Sequence, residues 1–378
     1  HYIYDTINQL RKRDSIFVNE QGFMKNFEII HYHLLGTVFA NRYNVPFDKK
    51  NVKFKSEKEE EMYRNQKMRE VFRAHKGLYK TILVDEIQDY EQYWVDNINE
   101  LTAFDTELVF WGDEEQNIYK RDEVSEGNIR HRCYTGLRGN WSRIHGSHRV
   151  EGDIGYLAQA FQKQFFRDYL DNEIEPAMDN LFHTKPYLSY HYYENDEFDV
   201  EIIHQSLIEI MKKKKLHYDD ICMLSNKVEL LRKVDQLLRQ KEAYQTVTTF
   251  ELEEEYQMIR NKIEFKYSSD IYNPIVRDEL KNKLYPIRRT SKMRFWMESG
   301  KIKLATIHSY KGWEIHTEIL ILDGRSDRNG TTEDDLNTEN LLTPSLVYTG
   351  ITRAKKNLII FNIGAKKYHK FFQEHISD

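Results

Sequence analysis

Two short apolar runs that each end in acidic residues constrain the fold of this chain more than any other feature. The first, TILVD, occupies residues 81–85 and is followed by Glu86; the second, ELVFWGD, occupies residues 107–113. Such runs are typical of buried parallel strands, and helical periodicity fills the sequence between them. Strand, helix and strand in this order predict a doubly wound α/β sheet, whose ligands bind outside the carboxyl ends of the strands.

The same pattern returns in the second half of the chain. Predicted strands lie at DICMLS (220–225), KIKLATIH (301–308), EILILD (318–323) and NLIIFNI (357–363). A chain of 378 residues is long enough for two cores. We therefore predict an α/β fold of two doubly wound parallel-sheet domains, at residues 1–145 and 146–378. Charged helix-forming stretches near 44–76 and 242–296 are expected to be small helical insertions.

Composition limits the partners of the chain. The net charge of −5 gives no global attraction to nucleic acid, so any DNA contact must come from local basic patches. Aromatic residues make up 13% of the chain, more than a core alone requires, and some are candidates for base stacking. Cys133 and Cys222 have no zinc or disulfide spacing, and no run is apolar enough to cross a membrane. These features favour a reducing, cytoplasmic location without membrane contact.

The segment VDEIQDY, residues 84–90, carries the strongest chemical signal. A carboxylate at a strand end can hold Mg²⁺ beside a nucleotide, and its neighbour can polarise the attacking water. Asp85 is the candidate metal ligand and Glu86 the candidate base. The alternative is that both acids begin a helix, where negative charge is also favourable. A second segment, VFWGDEEQNIY (109–119), offers Gln116 as a γ-phosphate sensor, although it could equally be a surface amide.

In order and wording these two segments resemble motifs II and III of the UvrD/Rep helicases of superfamily 1. Three later segments continue the family order: GSHRV (146–150) resembles motif IV, ATIHSYKGWE (305–314) motif V, and LVYTGITRAKKNLII (346–360) motif VI. The resemblance implies two RecA-like domains that hydrolyse ATP with Mg²⁺ and travel along single-stranded DNA in the 3′-to-5′ direction.

The resemblance also implies a set of site residues. Catalytic roles fall to Glu86, Gln116, Arg149 and Arg353, with Arg353 as the arginine finger that reaches the γ-phosphate. Nucleotide contacts fall to Asp85, Gln88, Gly312 and Glu314. The expected DNA-side residues are Tyr119, Thr306, His308, Trp313, Arg288 and Arg289. For His308 and Trp313 a role in the core is the competing interpretation.

Two departures from the family pattern limit the prediction. The phosphate-binding sequence GxxxxGK[ST] does not occur in the chain, and family order puts it ahead of His1. The segment 28–43 resembles the strand and helix that begin with the family's Thr-His pair, but Tyr32 replaces the threonine before His33. A buried helix with Leu34, Leu35, Val38 and Phe39 is the safer interpretation there.

Three functions are compatible with these features. The first is an ATP-driven helicase motor, with wording in motif III that resembles helicases joined to a nuclease domain or subunit. The second is a helicase-like module that senses DNA or scaffolds a nuclease without unwinding. The third is a stand-alone phosphohydrolase, which the DNA-side features of motif V disfavour.

Overall fold

The computed structural model describes residues 27–45, 57–119, 142, 150, 152–166, 186–194, 198–242, 245–267, 274–325 and 342–376. The chain divides into two compact units. Unit 1 contains the described residues up to Glu114, and unit 2 contains Glu115–Tyr119 and the described residues from Ser142 onward. Across these described ranges, no helix has the length and apolar character needed to span a bilayer.

Unit 1 is built on two parallel strands, as the two apolar runs predict. Strands β1 (Thr81–Val84) and β2 (Glu107–Phe110) pair in parallel, with Thr81 opposite Glu107. The described residues of the unit form three helices: α1 (Tyr32–Tyr43), α2 (Glu57–Ala74) and α3 (Gln92–Glu100). A core cluster joins the strands to these helices.

The burial predicted for the first strand is only half right. Ile82 and Val84 face the core of unit 1, whereas Leu83 between them is 57% exposed. Alternate side chains of a strand point to opposite faces of the sheet, so covering one face leaves the other exposed. Unit 1 therefore has a one-sided sheet over its described residues, in contrast to the two-sided burial that the run TILVD predicts.

Helix α1 confirms the predicted helix but corrects one of its core positions. Leu35 and Phe39 are buried, four residues apart on one face, while Leu34 is 57% exposed and Val38 is half-buried. Tyr32, at the position where the family has threonine, is also buried. Its ring stacks on Trp94 with 5.0 Å between centroids. At this position the substituted tyrosine thus serves packing.

The described residues of unit 2 form a six-stranded, fully parallel sheet. In chain order its strands are β3 (Tyr187–Tyr193), β4 (Ile221–Ser225), β5 (Thr246–Thr248), β6 (Ile302–Thr306), β7 (Ile315–Asp323) and β8 (Ala354–Ile363). Their order across the sheet is β3-β8-β7-β4-β6-β5. The four strands predicted from apolar runs are all present, as β4, β6, β7 and β8. Strands β3 and β5 were not predicted.

Helices cover both faces of this sheet. They are α4 (Gly152–Phe165), α5 (Val200–Lys214), α6 (Val228–Glu242), α7 (Glu253–Tyr267), α8 (Pro274–Arg294), α9 (Ile307–Tyr310), α10 (Pro344–Ile351) and α11 (Lys366–His375). One core contains side chains of α4, α9, α10 and α11, and a second contains side chains of α5 and α6. Buried on both faces, the central strands are almost continuously apolar, and the predicted doubly wound α/β class is confirmed.

The charged stretch near 242–296 folds mainly into the helix pair α7 and α8, which has a small core of its own. A buried ionic cluster around Glu251 connects this helix pair to α6. Glu251 is fully buried and accepts hydrogen bonds from Arg232 Nη1 at 2.7 Å and from Arg288 Nε at 2.7 Å. The Arg232 guanidinium lies 3.7 Å from the centroid of the Tyr256 ring. These contacts join α6 and α8 through one carboxylate.

Candidate nucleotide and DNA sites

The two acids predicted from VDEIQDY lie in a tight turn directly after β1. Asp85 is exposed, and its Oδ1 accepts a hydrogen bond from the Glu86 amide at 3.0 Å. Glu86 has φ 54° and ψ 44°, a left-handed conformation that is uncommon for a residue with a side chain. The next residue, Ile87, donates its amide to the Trp111 carbonyl at 2.8 Å. This bond fixes the turn against the end of β2.

Gln88 connects the two predicted strand ends. Its side chain is buried, its Nε2 donates to Glu86 Oε2 at 2.5 Å, and its Oε1 accepts from the Asp113 amide at 3.1 Å. Gly112 makes this arrangement possible, because a Cβ there would lie 2.5 Å from Gln88 Oε1. Gln88 therefore orients the candidate base, and the nucleotide contact expected from the resemblance stays a prediction.

The carboxylate in this turn fits a magnesium ion that arrives with a nucleotide. Among the residues that the structure describes, no group of three His, Cys, Asp or Glu side chains could hold a metal ion. Mg²⁺ is usually held by one or two carboxylates together with water and substrate phosphate. An exposed Asp85 at a strand end fits that donor set, so this residue would hold the ion and the phosphates would complete its ligands.

Arg353, the predicted arginine finger, is buried in unit 2 with only 1% of its surface exposed. Its Nε donates to the Thr349 carbonyl at 3.0 Å and its Nη1 to the Trp313 carbonyl at 3.3 Å. Its Nη2 donates to the side-chain oxygen of Gln116 at 2.6 Å. Bonds to a charged donor contribute roughly 1.5 to 3 kcal/mol each, so these neutral acceptors hold the guanidinium in a defined orientation.

Gln116 belongs to the segment Glu115–Tyr119, which packs in unit 2 although the strand before it lies in unit 1. Lys311 donates from Nζ to the Gln116 carbonyl at 2.8 Å. Glu115 is buried and accepts a hydrogen bond from Gln162 of α4. Ile118 inserts into the core of unit 2. Gln116 is thus hydrogen-bonded through both its backbone and its side chain, unlike the surface amide of the alternative interpretation.

The predicted DNA-side residues of motif V occupy the start of α9. Thr306 is the N-cap of this helix, and its hydroxyl accepts from the Ser309 amide at 3.2 Å. His308 follows, with its ring 5.7 Å from that of Tyr119. Burial, and then the positive charges of Lys311 and Lys292, lower the pKa of His308 to about 4. Its Nε2 is buried without a hydrogen-bond partner. His308 is thus a neutral, partly buried ring.

The last part of motif V has mixed roles. Trp313 is half-buried and packs against the core of unit 2, in line with the competing core interpretation. Gly312 has φ 86°, and a Cβ there would meet no atom within 4 Å, so its glycine is required by the backbone angle rather than by close packing. Glu314 forms an ion pair with Lys355. The space beside Gly312 is open for a ligand's close approach.

The two arginines predicted to contact DNA lie on α8 and differ in their surroundings. Arg288 is committed to Glu251 through two hydrogen bonds, Nε to Oε2 and Nη2 to Oε1, at 2.7 and 2.9 Å. Arg289 is exposed. The interpretation of Arg288 as a basic patch residue overlooked its buried partner, 37 positions away in sequence. Arg149 of motif IV and Cys133 lie outside the described residues.

Three contributors to these sites were missed by sequence reasoning. Lys311 lies inside the predicted motif V, so its place in the sequence could have indicated a functional role. Its contact with Gln116 follows only from the fold. Glu115 could have been suspected from the same motif as Gln116. Glu318, in the middle of β7, interacts electrostatically with Arg353, and its position in an apolar run gave no signal of this. It is fully buried, its carboxyl oxygens have no hydrogen-bond partner, and burial raises its pKa far above the usual range.

Comparisons with known proteins agree with the resemblance over part of the chain. The C-terminal domain of a possible DNA helicase from Lactobacillus plantarum WCFS1 is similar in structure at 12% identity. That alignment covers 58% of this chain and 88% of the other, with a TM-score of 0.29, which is too low to bear on the fold. A search of curated proteins found no match. Residues 18–125 match the family model for the UvrD/REP helicase N-terminal domain. That range includes the segments that resemble motifs II and III, so the comparison bears out the predicted resemblance to the UvrD/REP helicase N-terminal domain over residues 18–125.

Proposed function

We propose that this chain is the motor part of an ATP-driven translocase on single-stranded DNA. The observation that carries the proposal is the 2.6 Å hydrogen bond between Arg353 and Gln116, which are 237 positions apart in sequence. Motifs III and VI independently assign these two residues to the same γ-phosphate. Their contact supports a common site of action, which neither motif alone requires.

In the proposed mechanism each residue has one task. Bound ATP with Mg²⁺ supplies the phosphoanhydride bond and the charge that polarises it. Asp85 would hold the ion, and Glu86 would accept a proton from the attacking water. Gln88 keeps the Glu86 carboxylate aligned through its hydrogen bond. Arg353 stabilises the charge that develops on the transferred phosphoryl oxygens, and arginines in this role are worth about three to five orders of magnitude in rate.

On the DNA side, the proposed contacts are Tyr119, Thr306, His308, Trp313 and Arg289. Ring stacking and phosphate neutralisation give affinity without reading the base sequence. His308 enters this set as a neutral ring, because burial keeps its pKa near 4. Binding should therefore depend strongly on salt and weakly on sequence. Travel in the 3′-to-5′ direction and a nuclease partner remain predictions of the resemblance.

Phosphate release from the full-length protein, with and without a single-stranded oligonucleotide, tests the proposal. Glu86→Gln should abolish DNA-stimulated turnover while ATP binding changes little, because the amide keeps the shape but cannot accept the proton. Glu107→Gln, an exposed acid at the opposite end of the unit 1 strands, is the matched control and should keep full turnover.

The second candidate is a DNA-sensing or scaffolding module without motor activity. The observation in its favour is that Arg353, the proposed finger, is 1% exposed and is held by hydrogen bonds to the Thr349 carbonyl and the Gln116 side chain. Undiminished hydrolysis in Glu86→Gln would refute the role of Glu86. Absence of any DNA-stimulated hydrolysis in the unmodified full-length protein would make the second candidate the better account.

A further inference from the structure

Lys311 contacts two proposed site residues but has no role in the motif assignments. It follows helix α9 and contacts two residues of the segment Glu115–Tyr119. Its Nζ donates to the Gln116 carbonyl at 2.8 Å and lies 5.9 Å from the centroid of the Tyr119 ring. The proposed function gives Gln116 to the nucleotide and Tyr119 to DNA. The Lys311 ammonium group therefore lies beside one residue proposed to contact the nucleotide and one proposed to contact DNA.

Gln116 is hydrogen-bonded to both Lys311 and Arg353, so it links the two side chains. Lys311 holds the backbone of Gln116, and the side-chain oxygen of the same residue accepts from Arg353. As long as both bonds persist, the amide group and the guanidinium are bonded to each other. The Gln116–Arg353 hydrogen bond must break before either side chain can direct its full hydrogen-bonding capacity to a phosphate.

We propose that Lys311 is a positioning residue that keeps Gln116 bonded to Arg353 until single-stranded DNA arrives. A DNA phosphate competes with the Gln116 carbonyl for the ammonium group, and a charged acceptor makes the stronger bond. Lysine suits this exchange because its ammonium is a compact charge on a flexible stem. Once Lys311 turns to the phosphate, Gln116 and Arg353 are released for the nucleotide.

This inference rests on the proposed function and predicts a particular kinetic signature. Loss of the Lys311 ammonium should raise turnover without DNA, because the restraint on Gln116 is gone. Turnover at saturating DNA should change little. The ratio of the two rates should therefore fall at least tenfold towards one, while KM for ATP changes less than about threefold, since nucleotide binding itself is not altered. A purely structural role would lower both rates together.

The experiment compares three variants of the full-length protein by phosphate release at saturating ATP. Lys311→Met removes the charge and keeps the length of the side chain, and Lys311→Arg should restore most of the stimulation ratio. Lys292→Met is the matched control. Lys292 is an exposed cation whose charge also acts on His308. Its loss should leave the stimulation ratio at saturating DNA unchanged.

A second readout needs no turnover. Backbone hydrogen exchange of a peptide containing residues 115–119 should be faster in Lys311→Met than in the unmodified protein without DNA, and unchanged in Lys292→Met. Thermal unfolding of all three variants checks that each is folded.

The inference is overturned if Lys311→Met keeps the original stimulation ratio, if both of its rates fall in parallel, or if exchange in residues 115–119 is unchanged. An unmodified protein whose hydrolysis ignores DNA would instead overturn the proposed function, and this inference with it.

Discussion

Replacement of Glu251 tests the buried ionic cluster that joins α6 and α8. The carboxylate is fully buried between Arg232, which is 3% exposed, and Arg288. Glu251→Gln removes the negative charge that Arg232 and Arg288 share, while Glu253 stays paired with the buried Arg232 guanidinium at 3.1 Å. Removing one partner of a buried pair costs about 3 to 5 kcal/mol. We expect about 3 kcal/mol here, at the lower end, because glutamine can still accept one hydrogen bond from an arginine.

Thermal and urea unfolding, followed by circular dichroism, measure this loss. For a unit of this size, about 3 kcal/mol corresponds to a decrease in Tm of about 6 to 12 °C. Glu279→Gln is the control, because Glu279 pairs with Lys266, which is 59% exposed, on the neighbouring helices. An exposed pair contributes roughly 0 to 1 kcal/mol. Equal losses in the two variants would refute the reasoning that burial gives the Glu251 cluster its strength.

The pH dependence of the same variant gives an independent check. Burial alone would raise the pKa of Glu251, but hydrogen bonds and charge from Arg288 and Arg232 outweigh it and lower the pKa below its ordinary value of 4.5. A lowered folded-state pKa means stability that is fully present above the unfolded pKa and lost as pH falls through the folded one. The difference between Glu251→Gln and the unmodified protein should therefore shrink only in acid.

Three further outcomes are expected. Arg353→Ala should reduce kcat by about three orders of magnitude, with a smaller change in ATP affinity, because the finger acts on the transition state; stopped-flow nucleotide binding beside steady-state turnover separates the two, and a change in affinity alone would contradict it. Gly112→Ala should destabilise unit 1 by about 1 to 3 kcal/mol in urea unfolding, since its Cβ would lie 2.5 Å from Gln88 Oε1; an unchanged stability would mean that the turn yields easily. Oligonucleotide affinity should stay constant between about pH 6 and pH 8 in fluorescence titrations of the unmodified protein and His308→Gln alike, because a His308 pKa of about 4 keeps the ring neutral there; a break near the ordinary histidine pKa that His308→Gln abolishes would show a titrating ring.

The strands that could be predicted are those whose own residues carry the signal. Strands β4, β6, β7 and β8 are apolar runs buried on both faces, so the sequence pattern is strong. Strand β3 reads YLSYHYY, half-buried along its whole length at the edge of the sheet, and β5 has only three residues. Neither shows a continuous apolar run, because an edge position does not require one.

The candidate site follows the same rule. Acids at the end of an apolar run can be located from the run itself, and so Asp85 and Glu86 could be placed directly after β1. The partners of Arg353 and Arg288 could not be found in this way. Gln116 and Glu251 are distant in sequence from these arginines, and only the packing of the sheet and helices brings the pairs together. Leu34 shows the local limit, because the apolar run alone does not tell which of two adjacent leucines faces the core.

The left-handed backbone of Glu86 sets stability against activity at a single residue. A side chain in this conformation costs roughly 1 to 2 kcal/mol, and glycine would avoid most of that cost. A search for more stable variants would therefore be drawn to Glu86→Gly, which lacks the carboxylate that the proposed reaction needs. Selection for thermal stability alone would therefore favour an inactive protein. A working enzyme that keeps the acid accepts lower fold stability in exchange for turnover.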